Sequence, residues 1–280
     1  MKTLFILELK RALKSPFFWL SLLVPIGINA NHLLFSDCGF TIYTTSYLFV
    51  NAPIICMILA ILVPLHIGHD FETRTINNKI TAGCTKKDIF LAEAGVGAVL
   101  ATILLLTACL AVVAFSSIKH HTVDPDFTVT RVLVNTLISW LGLVTVTTFF
   151  TMLTMLAHRQ LISIAMALLL TLGLLTAGSN AVSHLREEPT RLDPVTYETI
   201  DNILYIDGFK RQVTNAVLLI SPFAQAEYEQ YRYWEPYNKS DNSLVMKNAP
   251  YHFEFCIVNL MEILLLCGIG IRLFRKQDLK

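Results

Sequence analysis

His66, His69 and Glu72 are three residues of metal-binding type at a spacing that would set them on one side of a helix. The H-E-x-x-H order that lets two imidazoles share a zinc ion is missing. These residues therefore read as ordinary members of a helix end, and no metal site is expected. His120-His121 with Asp124 and Asp126 reads in the same way, as a solvated turn. Glu187-Glu188 and Arg191 approach the paired-glutamate motif of membrane-embedded proteases, but the arginine is one residue too close and Pro189 intervenes. No G-x-x-x-x-G-K-[ST] run is present to cradle a triphosphate through backbone amides. Gly95-Val96-Gly97 and Gly268-Ile269-Gly270 lie in apolar runs, where glycine serves close helix packing. Catalytic residues, a resident cofactor and a metal are thus not expected in this chain.

Two polar residues stand out for where they fall. Asn259 and Glu262 sit one turn apart in an apolar run near the C-terminus. An ionisable group at that depth of a membrane costs roughly 2.5–3.5 kcal/mol even on the lenient insertion scale, so it must face protein or water. A place on a translocation path and a role as interhelical glue are equally open. Glu93 lies nearer a helix end and reads as a solvated or paired residue at the membrane boundary.

The elements that must hold these residues are set by composition. Charged residues make up 15% of the 280 and hydrophobic ones 54%, with a mean hydropathy of +0.56. An average soluble domain carries about 25% charge. The low charge excludes disorder and an ordinary soluble enzyme, and a net charge of +1 without a basic stripe excludes a nucleic-acid partner. Crossing a bilayer takes about 20 mostly apolar residues. Six stretches meet that length: 17–35, 47–67, 89–118, 133–156, 161–177 and 253–273. The fourth and fifth are parted by a tight turn at His158-Arg159. The fold class expected is an all-α membrane protein, a single transmembrane domain over 1–280.

Lysine and arginine in short loops set orientation. Lys2, Lys10, Arg11 and Lys14 precede the first span; Arg74, Lys79, Lys86 and Lys87 follow the second; Arg159 holds the tight turn; and Arg272, Arg275, Lys276 and Lys280 end the chain. Opposite them, residues 36–46 hold none and the next loop only Lys119 and Arg131. Both termini are expected in the cytoplasm, with the protein multi-pass in the plasma membrane and 183–252 outside. Residues 1–15 read as an interfacial helix with Phe5, Leu9 and Ala12 on its apolar face and Lys10, Arg11 and Lys14 toward anionic lipid. In the outer segment, 213–223 reads as a re-entrant or interfacial helix, and Tyr228, Tyr231, Tyr233, Trp234 and Tyr237 as headgroup anchors or as a surface for a departing amphipathic substrate. Asn238-Lys239-Ser240 fits a glycosylation acceptor. The six cysteines divide between spans and opposite sides, so no structural disulfide is expected.

The loop 69–88 is far longer than a connector needs. Asp70 can cap a helix carrying Glu72 in its first turn, Lys79 sits near the other end, and Gly83 suits a left-handed stop. Thr85 and Asp88 then form a capping box for the third span. A specified polar helix between two spans suggests a docking surface.

With Gly68-x-Asp70-Phe71-Glu72-x-x-Thr75-Ile76-x-Asn78-Lys79 and Gly83, the chain resembles the permeases of type-2 ABC exporters, the superfamily of the ABCG-like transporters. Residues 11–18, Ser221-Pro222-Phe223 and Phe274-Arg275-Lys276-x-Asp278 add to the likeness, which covers the whole layout. The resemblance implies that 71–82 is a cytoplasmic coupling helix seated on a separate ATPase subunit. Asp70, Phe71, Glu72, Thr75, Ile76, Asn78, Lys79 and Gly83 would make the main contact, and His158 and Arg159 a smaller one. ATP and Mg²⁺ would belong to that ATPase. The other partners implied are a second permease, identical or paralogous, and membrane lipid. Two rival readings are a membrane receptor or assembly factor sensing through 183–252, and an ion-coupled secondary transporter.

Overall fold

The computed structural model describes residues 1–35, 44–119, 129–192, 199–231 and 252–277. Cys38, the His120-His121 cluster, Tyr233, Trp234, Tyr237, the Asn238 sequon and Asp278 lie outside the described residues. Helix α1 (Lys2–Lys14) leads through the extended residue Ser15 into α2 (Pro16–Ala30), which runs on as a π-helical turn, Asn31–Phe35. Pro16 occupies the first helical position, where its fixed φ and missing N–H cost nothing. After a 3₁₀ turn at Thr44–Tyr47 come α3 (Ala52–Glu72), α4 (Thr75–Thr81), α5 (Lys86–Lys119), α6 (Val129–Ala157) and α7 (Gln160–Arg186). A small antiparallel hairpin, β1 (Thr190–Leu192) with β2 (Thr199–Asp201), pairs Arg191 with Ile200. Then follow α8 (Gly208–Ile220), α9 (Pro222–Tyr231) and α10 (His252–Lys276).

Six of these helices, α2 with its π turn, α3, α5, α6, α7 and α10, are long and apolar enough to cross a membrane. Two depart from the sequence reading. Helix α3 runs from Ala52 to Glu72 rather than over 47–67, and α7 continues to Arg186, well past 177. Both extensions follow the buried face: Ile67 and Asp70 continue the inward stripe of Leu59 and Val63, and Ala181, Val182 and Leu185 that of Leu175 and Gly178.

Helix α3 is the centre of the bundle, with Ile55, Leu59 and Ile67 fully buried against α5, α6 and α7. The α3–α7 crossing is close because Gly68 has no side chain: a Cβ there would lie 2.6 Å from the Gln160 Cα. Gly97 and Gly270 similarly face Thr147 and Phe90, whereas Gly268 meets nothing. Helix α6 buries Thr145, Thr148, Thr151 and Thr154, each donating to a carbonyl one turn back at 2.7–3.0 Å. That bond satisfies the hydroxyl without a partner helix.

Helix α9 returns into the bundle against α3, α6 and α7, placing Phe150 and Phe223 rings 6.2 Å apart. Tyr228 is buried there against the Phe255 ring, at 5.8 Å, and is not a headgroup anchor. Helices α2, α7 and α10 leave Leu20, Leu169, Leu264 and other apolar side chains exposed. The five described cysteines are free thiols.

Candidate functional site

One end of the bundle collects α1, the α3–α4 corner, the start of α5, the α6–α7 turn and the end of α10. Its local structure is set by two left-handed residues and a glycine. Helix α3 stops at a corner where Arg74 has φ of 56° and Thr73 Oγ1 donates to the His69 carbonyl at 2.8 Å. The expected single helix from Asp70 is therefore two pieces: Asp70, Phe71 and Glu72 close α3, and only 75–81 form α4. Asp70 does not act as a helix cap. It stays in α3 because it has partners inside the fold. Gly83, at φ of +90°, ends the α4 segment, a conformation that a Cβ would strain. Thr85 Oγ1 then accepts from the Asp88 amide at 3.1 Å and donates to Asp88 Oδ2 at 2.7 Å, opening α5.

The partners of Asp70 form a buried charge cluster drawn from four helices. Arg11 of α1 donates through both terminal nitrogens to the wholly buried Asp70, with Nη2 to Oδ2 at 2.8 Å. Lys79 of α4 reaches Asp70 Oδ2 at 2.5 Å, Glu8 Oε1 of α1 at 2.7 Å and Glu93 Oε1 of α5 at 3.1 Å. Glu8 also meets Arg11 Nη2 at 2.6 Å. His66, one turn before Asp70 on α3, completes the group, its Nε2 lying 3.4 Å from Glu93 Oε2 and 3.7 Å from Glu8 Oε2.

The electrostatics follow from burial and crowding. Burial opposes the Lys79 charge, but Glu93 and Asp70 outweigh it and hold the ammonium above the ordinary lysine range. Burial likewise works against Arg11 and is overcome by its bonds to Asp70. Glu8 goes the other way: burial, then the nearby Glu93 carboxylate, raise its pKa despite Lys79 and Arg11. Three carboxylates face two permanent cations, so a proton on Glu8, whose pKa is raised, makes these five groups neutral together.

Glu8, His66 and Glu93 bring metal-type ligand atoms within 4.8 Å of one another. The same carboxylates are already held by Lys79, and an ammonium at about 3 Å repels a dication strongly in a medium of low dielectric. The cluster is built as a knot of side-chain charges. His69 and Glu72, by contrast, are exposed and do not join His66.

The residues expected to form a docking surface thus divide. Asp70, Ile76 and Lys79 are buried; Glu72, Asn78, Gly83 and Arg159 are exposed; Phe71, Thr75 and His158 are half-buried. Two of them meet: the Phe71 and His158 rings lie 4.8 Å apart, and the Phe274 ring lies 6.4 Å from that of Phe71. His158, at φ of 55°, makes the α6–α7 turn and bonds Gln277 Oε1 at 2.8 Å. Lys86 donates to the Gln277 carbonyl, tying α5 to the same tail.

Asn259 and Glu262 are on α10, far along the chain from this cluster. Asn259 is wholly buried and donates to Gln225 Oε1 of α9 at 2.7 Å, with Thr145 of α6 at 3.4 Å. Glu262 is half-buried, and its Oε2 has no hydrogen-bond partner among the described residues.

Sequence reasoning passed over Glu8, and assigned Arg11 to a lipid-facing side when it turns inward. Two signals were available. Glu8 is the sole carboxylate before Asp37, three residues from Arg11, and His66 and Asp70 stand at i, i+4 on one face. Neither a family model nor a curated protein sequence matches this chain.

Proposed function

We propose that this chain is the membrane-spanning permease subunit of an ATP-driven exporter, working with a separate ATPase that carries ATP and Mg²⁺, and pairing with a second permease. The charge cluster is the observation that most supports this role. It joins α1, α3, α4 and α5 into one unit at the end of the bundle where Arg74, Lys86, Lys87, Arg159 and the α10 tail also lie. A force on the exposed side of α4 would be carried by Lys79 to Asp70, Glu8 and Glu93, and so to two spans directly. Through α1 and the single linking residue Ser15 it would reach α2 as well. The Phe71–His158 contact sets the two expected ATPase contacts side by side, leaving Glu72, Asn78 and Arg159 free to meet a partner. In this role the buried members transmit and the exposed members dock. Alternating access would then require the ATPase to contact this face differently in its open and closed states. Asn259 and Glu262 would belong to the translocation side of the machine.

The test is co-expression with the ATPase encoded nearest to this chain, followed by purification through a tag on the permease. A stable complex whose ATPase activity changes on joining is expected; no complex under any condition overturns the role. Cys84 should resist a membrane-impermeant thiol reagent in intact cells and label after permeabilisation, since docking requires α4 in the cytoplasm.

A further inference from the structure

The angle between α1 and α2 opens onto a cleft of about 390 Å³, whose far wall is α3, α5 and the start of α7. Its lining is divided by chemistry. Arg11, Lys14 and His69 supply its basic side chains, and Phe17, Leu62 and Leu65 are among its apolar ones. No carboxylate lines it, although three lie just behind the wall in the charge cluster. Arg11 is engaged with Asp70 and Glu8, but Lys14 and His69 are exposed and make no ion pair or side-chain hydrogen bond among the described residues. The cleft therefore offers the free ammonium of Lys14 and the uncommitted imidazole of His69 beside apolar side chains, where an amphipathic helix turns into a span. Trp19, exposed beside it and bonded through Nε1 to the Leu13 carbonyl at 2.8 Å, is placed as a membrane-boundary indole would be.

We infer that this cleft is a discrete binding site for one anionic phospholipid, its phosphate held by Lys14, His69 and the outer edge of Arg11, and an acyl chain lying along Phe17, Leu62 and Leu65. Charge selects the ligand: a zwitterionic headgroup brings its own cation against Lys14, while an anionic one does not. The apolar lining selects a lipid over a free anion, because a small phosphate would leave Phe17 and Leu65 in water. The volume suits a headgroup with its glycerol and first methylenes, the remaining chain being left in the bilayer. The site requires only that α2 spans the membrane, and holds whether or not the chain serves an exporter.

The test uses the full chain in phosphatidylcholine nanodiscs doped with phosphatidylglycerol. Native mass spectrometry counts the lipids of each headgroup retained on release. One retained phosphatidylglycerol per chain is expected, saturating as its share of the bilayer rises, with little phosphatidylcholine retained. Lys14→Gln should weaken retention roughly fivefold, the loss of one lysine close to an anionic surface, and Lys14→Gln with His69→Gln should abolish the discrete species. Lys10→Gln, on α1 but outside the cleft, should leave it unchanged. Millimolar inorganic phosphate should not displace the lipid. Equal loss from Lys10→Gln and Lys14→Gln would show diffuse attraction to the membrane surface, and displacement by phosphate would show an anion site without lipid. Either result, or equal retention of phosphatidylcholine, overturns the proposal.

Discussion

Lys79 Nζ lies 2.5 Å from Asp70 Oδ2 across the corner between α3 and α4, with both side chains buried. Residues nine apart that would share an exposed helix instead hold two helices together from within. The corner at Thr73-Arg74 makes this possible by turning α4 back so that its lysine points at the end of α3. Such an arrangement fixes geometry more than it adds stability, because desolvating the charges offsets most of their attraction.

Removing one member should therefore be far worse than removing a pair. Lys79→Met leaves Asp70, Glu8 and Glu93 facing Arg11 alone and should destabilise the protein by about 3–5 kcal/mol. Adding Asp70→Asn to it should recover a large part of that loss. Thermal unfolding of the purified variants in one detergent checks the order: wild type, double variant, single variant.

Acid should act on the cluster through Glu8. Its folded pKa is raised, so the protonated form suits the fold. Its contribution is present below the unfolded carboxylate value and is lost as pH rises through the folded one. The stability of wild type relative to Glu8→Gln should then improve as pH falls from neutral towards that unfolded value. Lys79, also raised, should keep its contribution up to the unfolded lysine range and lose it only above. Melting temperatures of both proteins across pH decide it; a difference that is flat or shrinks on acidification contradicts the assignment.

Hydropathy made the spans legible, because length and apolarity decide whether a helix can cross a membrane and both are visible residue by residue. The tight turn at His158-Arg159 was legible for the same reason, since one helix through both spans would be too long. The corner was not. Asp70, Phe71 and Glu72 carry the local marks of a helix start, yet Asp70 is kept inside α3 by Arg11, 59 residues away. Glu8 drew no reading because nothing near it in sequence says that α1 packs on α5. Burial of charge is a long-range property, and a single sequence shows charges without their partners.

Gly68 should admit no side chain. A methyl group there would press on the Gln160 backbone, which cannot rotate away. Gly68→Ala should cost about 1–3 kcal/mol by overpacking, read as a lower melting temperature. Gly268→Ala, where nothing lies within 4 Å, should be silent.

The two polar residues of α10 should separate. Asn259→Leu strands Gln225 in the core and should destabilise by about 1–3 kcal/mol, the cost of a buried group left unpaired. Glu262→Gln breaks no bond at Oε2 and should leave expression and melting temperature unchanged. If Glu262 serves the translocation side, the same variant should lose export. Full export with Gln at this position assigns the carboxylate to packing alone.

Glu72→Lys tests docking apart from folding. Glu72 is exposed and is the last residue of α3, so its carboxylate sits at the negative end of the helix. A lysine there should favour the helix by about 0.3–1 kcal/mol rather than weaken it. The variant should therefore be as stable as wild type, and the cluster behind it untouched. Against an ATPase that reads this face, the reversed charge should release the partner or uncouple hydrolysis from export. Asn78→Lys, on the exposed side of α4, should act in the same direction, whereas Lys10→Glu on α1 should not. Co-purification yield and ATPase activity of the complex, measured beside the melting temperature, give the result. Complexes that assemble and export normally with both Glu72→Lys and Asn78→Lys would remove this face from the ATPase interface and leave the charge cluster a purely structural knot.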